Sequence, residues 1–248
     1  MIKGLFLALV AQLDRVPGYE PGGQRFESSP VQYCANDMMI YKFPCGPLET
    51  NAILFGCLET KRGAVVDPSL GSAEAILKQA AEAGLAIEKI LLTHSHWDHF
   101  ADAHDLKSKT SALLYVHPSD AKNVEHPGSD GVPLFFPIHG VKPDRLLKDK
   151  DLLQVGNLKI EVIHSPGHSP GSVCFYLNEK NLLLSGDTLF QGSLGNLHLA
   201  TAEPHHMWES LRKLAALPKT TRVIPGHGPD TSIGEESWMD RAQEIFGE

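Results

Sequence analysis

The hexapeptide His94-Ser95-His96-Trp97-Asp98-His99 constrains this chain more than any other stretch, because it puts three imidazoles and a carboxylate in the turn after the strand-like run 89–92. A buried imidazole or carboxylate needs a partner, and here the nearest partners are one another. Such a crowd is satisfied by a metal ion. A surface loop could also carry it, so the rest of the chain decides.

Three later turns carry the same residue types: His168 in Pro166-Gly167-His168-Ser169-Pro170-Gly171, Asp187 in Ser185-Gly186-Asp187-Thr188, and His227 in Pro225-Gly226-His227-Gly228-Pro229. Each leaves a predicted strand, where side chains project from a rigid edge into a cleft, and the glycines allow close backbone approach. Taken singly, a histidine in a Pro-Gly turn or an aspartate after glycine is an ordinary turn residue. Together with the hexapeptide they are not independent coincidences. His104, His117, His126, His139, His164, His198, His205 and His206 read as bystanders. His198 is the one with a case for substrate contact, since the loop 191–203 follows Asp187 closely; Trp97 suits a cleft wall or a core position equally.

A chain of 248 residues, 42% hydrophobic and 21% charged, is large enough for one sizeable core and is neither disordered nor fibrous in composition. A net charge of −8 argues against a nucleic-acid partner. Cys34, Cys45, Cys57 and Cys174 form no CxxC pair and read as reduced cysteines of a cytoplasmic protein. No run reaches the ~20 apolar residues that a membrane span requires. Residues 1–11 mimic a signal peptide, but Leu9 breaks the small-x-small cleavage pattern. The segment 11–30 is rich in Pro, Gly, Ser and charge, and VAQLDRVPGYEPGGQRFESSP resembles the conceptual translation of a transfer-RNA gene. Residues 1–37 are therefore expected to be an extension outside the fold, from an upstream mis-start, with Met38 or Met39 opening a single domain over 38–248.

Periodicity predicts strands at 40–43, 51–57, 64–66, 89–92, 113–116 and 222–224, and near Leu152, Ile160, Val173 and Leu182. It predicts helices at 72–83, stopped by Gly84, and at 101–107, 204–217 and 235–246, with 117–142 as a loop. Sheets covered by helices follow from that alternation.

The motifs HSHWDH, SPGHSPGS, SGDTLF and PGHGP, in this order, resemble the metallo-β-lactamase superfamily over about residues 39–248, and PGHGPDTSIGEES is similar to small glyoxalase II-like hydroxyacylglutathione hydrolases. The resemblance implies an α/β fold, a four-layer αββα sandwich of two mixed sheets flanked by helices, with metals at one sheet edge. It implies that His94, His96 and His168 hold one divalent ion, that Asp98, His99 and His227 hold a second, and that Asp187 bridges them. Zinc is the first expectation for both ions; the donor set also suits iron or manganese. Asp67, in Val65-Val66-Asp67-Pro68, matches an aspartate that braces the histidine loop, and a plain turn aspartate before proline explains it equally.

The activity implied is hydrolysis of a small-molecule thioester such as S-lactoylglutathione by a metal-bridging hydroxide, with Asp98 as the catalytic carboxylate that orients it or accepts its proton. Two departures stand out: 21 residues follow His227, too few for the helical glutathione-binding domain of larger relatives, and the loop 192–198 lacks their Gly-Arg pair. The alternatives are a mononuclear iron persulfide dioxygenase using His94, His168 and Asp187, a lactonase or other ester hydrolase, and a metal-binding scaffold without activity. Neither nucleic acid nor membrane is an expected partner, and the oligomeric state is not readable.

Overall fold

A computed structural model describes residues 31–35 and 37–247. The expectations placed on residues 1–30, the signal-like run and the tail, lie outside the described residues, as does the side chain of Cys34.

Residue alternation dictates the layers. In β2 (Met38–Cys45) and β3 (Thr50–Cys57) nearly every position is buried, which requires cover on both faces. Met39, Tyr41, Ala52 and Leu54 face one core, while Met38, Ile40, Ile53 and Phe55 face another. The same parity splits β10 (Val173–Leu177) and β11 (Leu182–Gly186): Val173, Phe175, Leu182 and Leu184 join the second core, and Cys174, Tyr176 and Leu183 join a third. Three cores between four layers make the αββα sandwich. The middle core lies between the sheets, and each outer core sits under helices.

The first sheet runs β1 (Val31–Ala35), β2, β3, β4 (Arg62–Val66), β5 (Ala86–Leu91), β6 (Leu113–Val116) and β7 (Arg145–Leu146). Its first pairings are antiparallel and those from β4 to β7 parallel. Helices α1 (Ala73–Ala83), α2 (Trp97–Phe100), α3 (Ala103–Thr110) and α4 (Pro118–Glu125) follow its strands. The second sheet has the order β13 (Thr231–Ser232), β12 (Arg222–Pro225), β11, β10, β9 (Leu158–His164) and β8 (Leu152–Val155), with only β11 and β12 parallel. It is covered by α5 (Pro204–Ala215), whose Met207, Leu211 and Leu214 are buried, and by the C-terminal α6 (Ala242–Phe246).

Parallel pairing sends neighbouring strand ends to the same edge, which is where open α/β sheets bind ligands. In the first sheet Val66 pairs with Leu91, so Asp67 leaves β4 beside the histidine loop; in the second, Gly186 pairs with Pro225, so Asp187 and His227 leave together. The two edges are stitched by Val173 N–H donating to Thr93 O (2.8 Å) and Asn51 N–H donating to Gly226 O (2.7 Å).

Four elements differ from the sequence expectation. β1 pairs antiparallel with β2, so the sheet takes in residues 31–35, ahead of the boundary expected at Met38. The stretch 117–142 contains α4, and α2 begins within the hexapeptide and ends one residue beyond it. The helix expected at 235–246 is a 3-10 turn at Ser237–Arg241 followed by α6.

Candidate metal centre

The sheet edge brings together all seven side chains singled out by the motifs. Their ligand atoms form three overlapping groups, each within 4.8 Å: His94, His96 and His168; His94, His99 and Asp187; Asp98, His99 and His227. His96 Nδ1 lies 2.8 Å from His168 Nε2 and 3.1 Å from His94 Nε2. His99 Nε2 lies 3.3 Å from each of His227 Nε2, Asp98 Oδ2 and Asp187 Oδ1. All are buried except His227, whose side chain keeps 25% of its surface and marks the mouth of the site.

The surroundings fix which nitrogen of each imidazole carries hydrogen. His168 Nδ1 donates to Asn196 O (3.0 Å) and His227 Nδ1 to Leu48 O (2.9 Å), since a carbonyl can only accept. His99 Nδ1 donates to Asp67 Oδ2 (2.9 Å). Thr93 gives its hydroxyl hydrogen to Asp67 Oδ2 (2.6 Å), so its oxygen accepts from His94 Nδ1 (3.1 Å). Thr201 likewise donates to His168 O (3.1 Å) and accepts from His96 Nε2 (2.9 Å). Each outer nitrogen is thereby an N–H, and the inner nitrogens, Nε2 of His94, His99, His168 and His227 and Nδ1 of His96, converge on one another.

The two halves of the site differ electrostatically. Burial, reinforced by neighbouring imidazoles, holds His94 well below the ordinary imidazole range and His96 down to about 3; burial also lowers His168. These are bare lone pairs at neutral pH. Burial opposes charge on His99 and His227 too, but Asp98 and Asp187 outweigh it, lifting His99 well above its usual value and His227 to about 10. Against their own burial, Asp98 and Asp187 are held below the carboxylate range by those histidines. This half draws positive charge inward.

A divalent cation fits such a donor set. Asp187 Oδ1 is buried without a hydrogen bond, and the inner nitrogens of His94, His96 and His168, whose imidazoles burial keeps neutral at pH 7, meet with no donor between them. Gly226 leaves room for the cluster: a Cβ there would overlap Asp187 Oδ1 and lie 2.7 Å from His99 Cε1.

Asp67 takes a supporting place. It adopts φ +48°, a left-handed conformation that aspartate tolerates better than most residues, and turns its carboxylate back under the histidine loop. Oδ1 accepts from Thr93 N–H (2.8 Å), and Oδ2 from Thr93 Oγ1 and His99 Nδ1. Trp97 is buried, edge-on to Phe135 and Phe136 at 5.8 and 5.1 Å, and His198 is exposed on its loop. Sequence reasoning missed Thr50, which donates to Asp98 Oδ2 (2.8 Å), as well as Thr93, Thr201 and Asp120. The hydroxyl residues are spread from position 50 to 201 in ordinary contexts, and no local signal reports them.

The sequence matches the profile of the metallo-beta-lactamase superfamily over residues 45–227. It is 32% identical over 195 residues to the probable metallo-hydrolase YqgX of Bacillus subtilis, covering 77% of this chain and 91% of that protein. With the hydroxyacylglutathione hydrolase GloC of Haemophilus influenzae it shares 31% identity over 191 residues, 72% of this chain and 85% of the relative. Among solved structures, BLEG-1 B3 metallo-beta-lactamase aligns with TM-score 0.75 and 35% identity over 84% of this chain and 100% of that one. TTHA1623 in a di-iron-bound form aligns with TM-score 0.68 and 36% identity over 79% and 96%. With the αββα sandwich and the His/Asp cluster at its sheet edge, these matches establish that the chain belongs to the metallo-beta-lactamase superfamily.

Proposed function

We propose that this protein is a binuclear metal-dependent hydrolase of thioesters of the S-lactoylglutathione kind, with His94, His96 and His168 on one ion, Asp98, His99 and His227 on the other, and Asp187 on both. The observation that carries the reading is the hydrogen-bonded shell in which every imidazole has its outer nitrogen committed and its inner nitrogen turned into the cluster. The likeness to a hydroxyacylglutathione hydrolase supports the thioester assignment. Zinc is the proposed metal; a related structure in a di-iron-bound form keeps iron in the comparison.

Divalent ions held by these residues would supply Lewis acidity, lowering the pKa of a bound water to about 7 and polarising a carbonyl. The chain supplies the rest. Asp98, kept ionised by His99 and His227 and steadied by Thr50, is the carboxylate that takes the proton of the attacking water. The thioester carbonyl enters past His227, the partly open side of the cluster. A thiol leaving group, with an ordinary pKa near 8.5, departs without a protein acid. Cys174 is no competing nucleophile, because burial pushes its thiol up to about 11. The loop 187–203 contains no lysine or arginine, so recognition of the thiol portion does not rest on ion pairing from this loop. No helix among the described residues is long and apolar enough to cross a membrane.

The test is a substrate panel of thioester, lactone and persulfide with metal-loaded protein, alongside elemental analysis. Thioester turnover with about two ions per chain is expected. No thioester cleavage, or one iron with thiol-dependent oxygen uptake, would replace this reading with the dioxygenase one.

A further inference from the structure

Asp120 lies on α4, outside the motifs, and is 3% exposed. Its carboxylate ties together two loops that come from different sheets. Oδ2 accepts from Ser95 N–H (2.9 Å) and from Ser169 Oγ–H (2.8 Å), and Oδ1 accepts from Gly171 N–H (2.8 Å). Ser95 stands between His94 and His96, and Ser169 adjoins His168. One turn along the helix, Asn123 donates to Ser95 O (2.6 Å), so α4 holds both backbone groups of Ser95. Gly171 closes against the same carboxylate: a Cβ at that position would stand 2.5 Å from Asp120 Cγ. Among the described residues Asp120 forms no ion pair; its partners are these loop donors.

Burying an unpaired carboxylate is costly, and a structural cap would not need donors from two loops. We propose that Asp120 is a positioning residue for the His94–His96–His168 half of the centre, setting the gap between the two loops that carry those imidazoles. It does not touch the ligand atoms. It acts through Ser95, Ser169 and Gly171; in the other half His99 rests directly on Asp67 and Asp98 on Thr50, and Asp67 reaches the first half only at His94, through Thr93. The inference rests on the two-metal reading, because its readout is metal affinity.

Chelator-stripped full-length protein, wild type and Asp120→Asn, is titrated with Zn2+ and with Co2+ against a chromophoric chelator, with circular dichroism as the check on folding. Wild type should take two ions. Asp120→Asn should hold one with nearly unchanged affinity and the other about 10- to 100-fold more weakly, the usual loss when an outer partner of a metal ligand is removed. Ser169→Ala, which deletes one of the three bonds, should weaken that same ion about threefold to tenfold, and it answers the question if Asp120→Asn does not fold. Equal loss of both ions, unchanged affinities, or fewer than two ions in wild type would overturn the assignment. Unequal loss in protein that cleaves no thioester would uphold it and end the hydrolase reading instead.

Discussion

Replacing Asp67 with asparagine removes a charge and almost no volume from beneath His99. The carboxylate has three bonds: Thr93 N–H at 2.8 Å on Oδ1, and Thr93 Oγ1 and His99 Nδ1 at 2.6 and 2.9 Å on Oδ2. Asparagine offers one acceptor oxygen. If that oxygen takes the place of Oδ2, its amide N–H2 faces the buried Thr93 N–H and a donor is left without a partner. If it takes the place of Oδ1, the amide faces His99 Nδ1, and the imidazole must move its hydrogen to Nε2, the atom aimed at Asp98, Asp187 and His227. A hydrogen bond to a charged group contributes about 1.5–3 kcal/mol. At ~1.4 kcal/mol per tenfold, that is a loss of about 10- to 150-fold in affinity for the ion at His99. Outer partners of metal ligands are independently worth about 10- to 100-fold, so the two routes agree. Chelator competition on stripped Asp67→Asn protein measures this directly, with urea unfolding of the metal-free form expected to fall by about 1.5–3 kcal/mol. Affinity within about twofold of wild type would refute the tautomer argument.

Asp98→Ala should lower turnover by about 100-fold or more while the circular dichroism spectrum stays native, because the carboxylate sits among ligands and its other partner is the Thr50 hydroxyl; an unchanged rate removes its role. Gly226→Ala should abolish uptake of the ion near His99, since the new methyl overlaps Asp187 Oδ1, and calorimetric titration reads the loss. Metal affinity should rise with pH: with His227 lifted to about 10 by Asp187 and Asp98 against burial, its proton is present at pH 7 and must leave when metal binds. The logarithm of the apparent constant should climb by about one per pH unit for each displaced proton and level off near pH 10, with proton release detected in buffers of different ionisation enthalpy; a flat profile from about pH 6 to 9 would contradict it.

The residues of the cluster were legible in the sequence because each stands in a glycine- or histidine-marked turn at the end of an apolar strand, as at Leu182–Gly186 before Asp187. The layers were legible because buried strands carry apolar runs, as Ala52 to Cys57 does in β3. Helix α4 was not, since it buries Asp120 and Asn123 along with Val124, and a polar buried face leaves no hydrophobic period to find. Its one local clue was Pro118 at the first helical position after His117, whose Nδ1 accepts from Ser119 N–H. The Ser237–Arg241 stretch tightens into a 3-10 turn whose entry residue, Glu236, accepts from Gly192 N–H (2.8 Å) and Trp238 Nε1 (2.5 Å), a tertiary demand that helical spacing cannot report. The shell of Thr50, Thr93 and Thr201 escaped for the same reason: each hydroxyl matters only through the partner that folding brings to it.

Elemental analysis of protein loaded with divalent metal and freed of excess ions tests the account most directly. Seven converging side chains, with the outer nitrogen of each imidazole already hydrogen-bonded, predict about two ions per chain. One ion, or none, would contradict it.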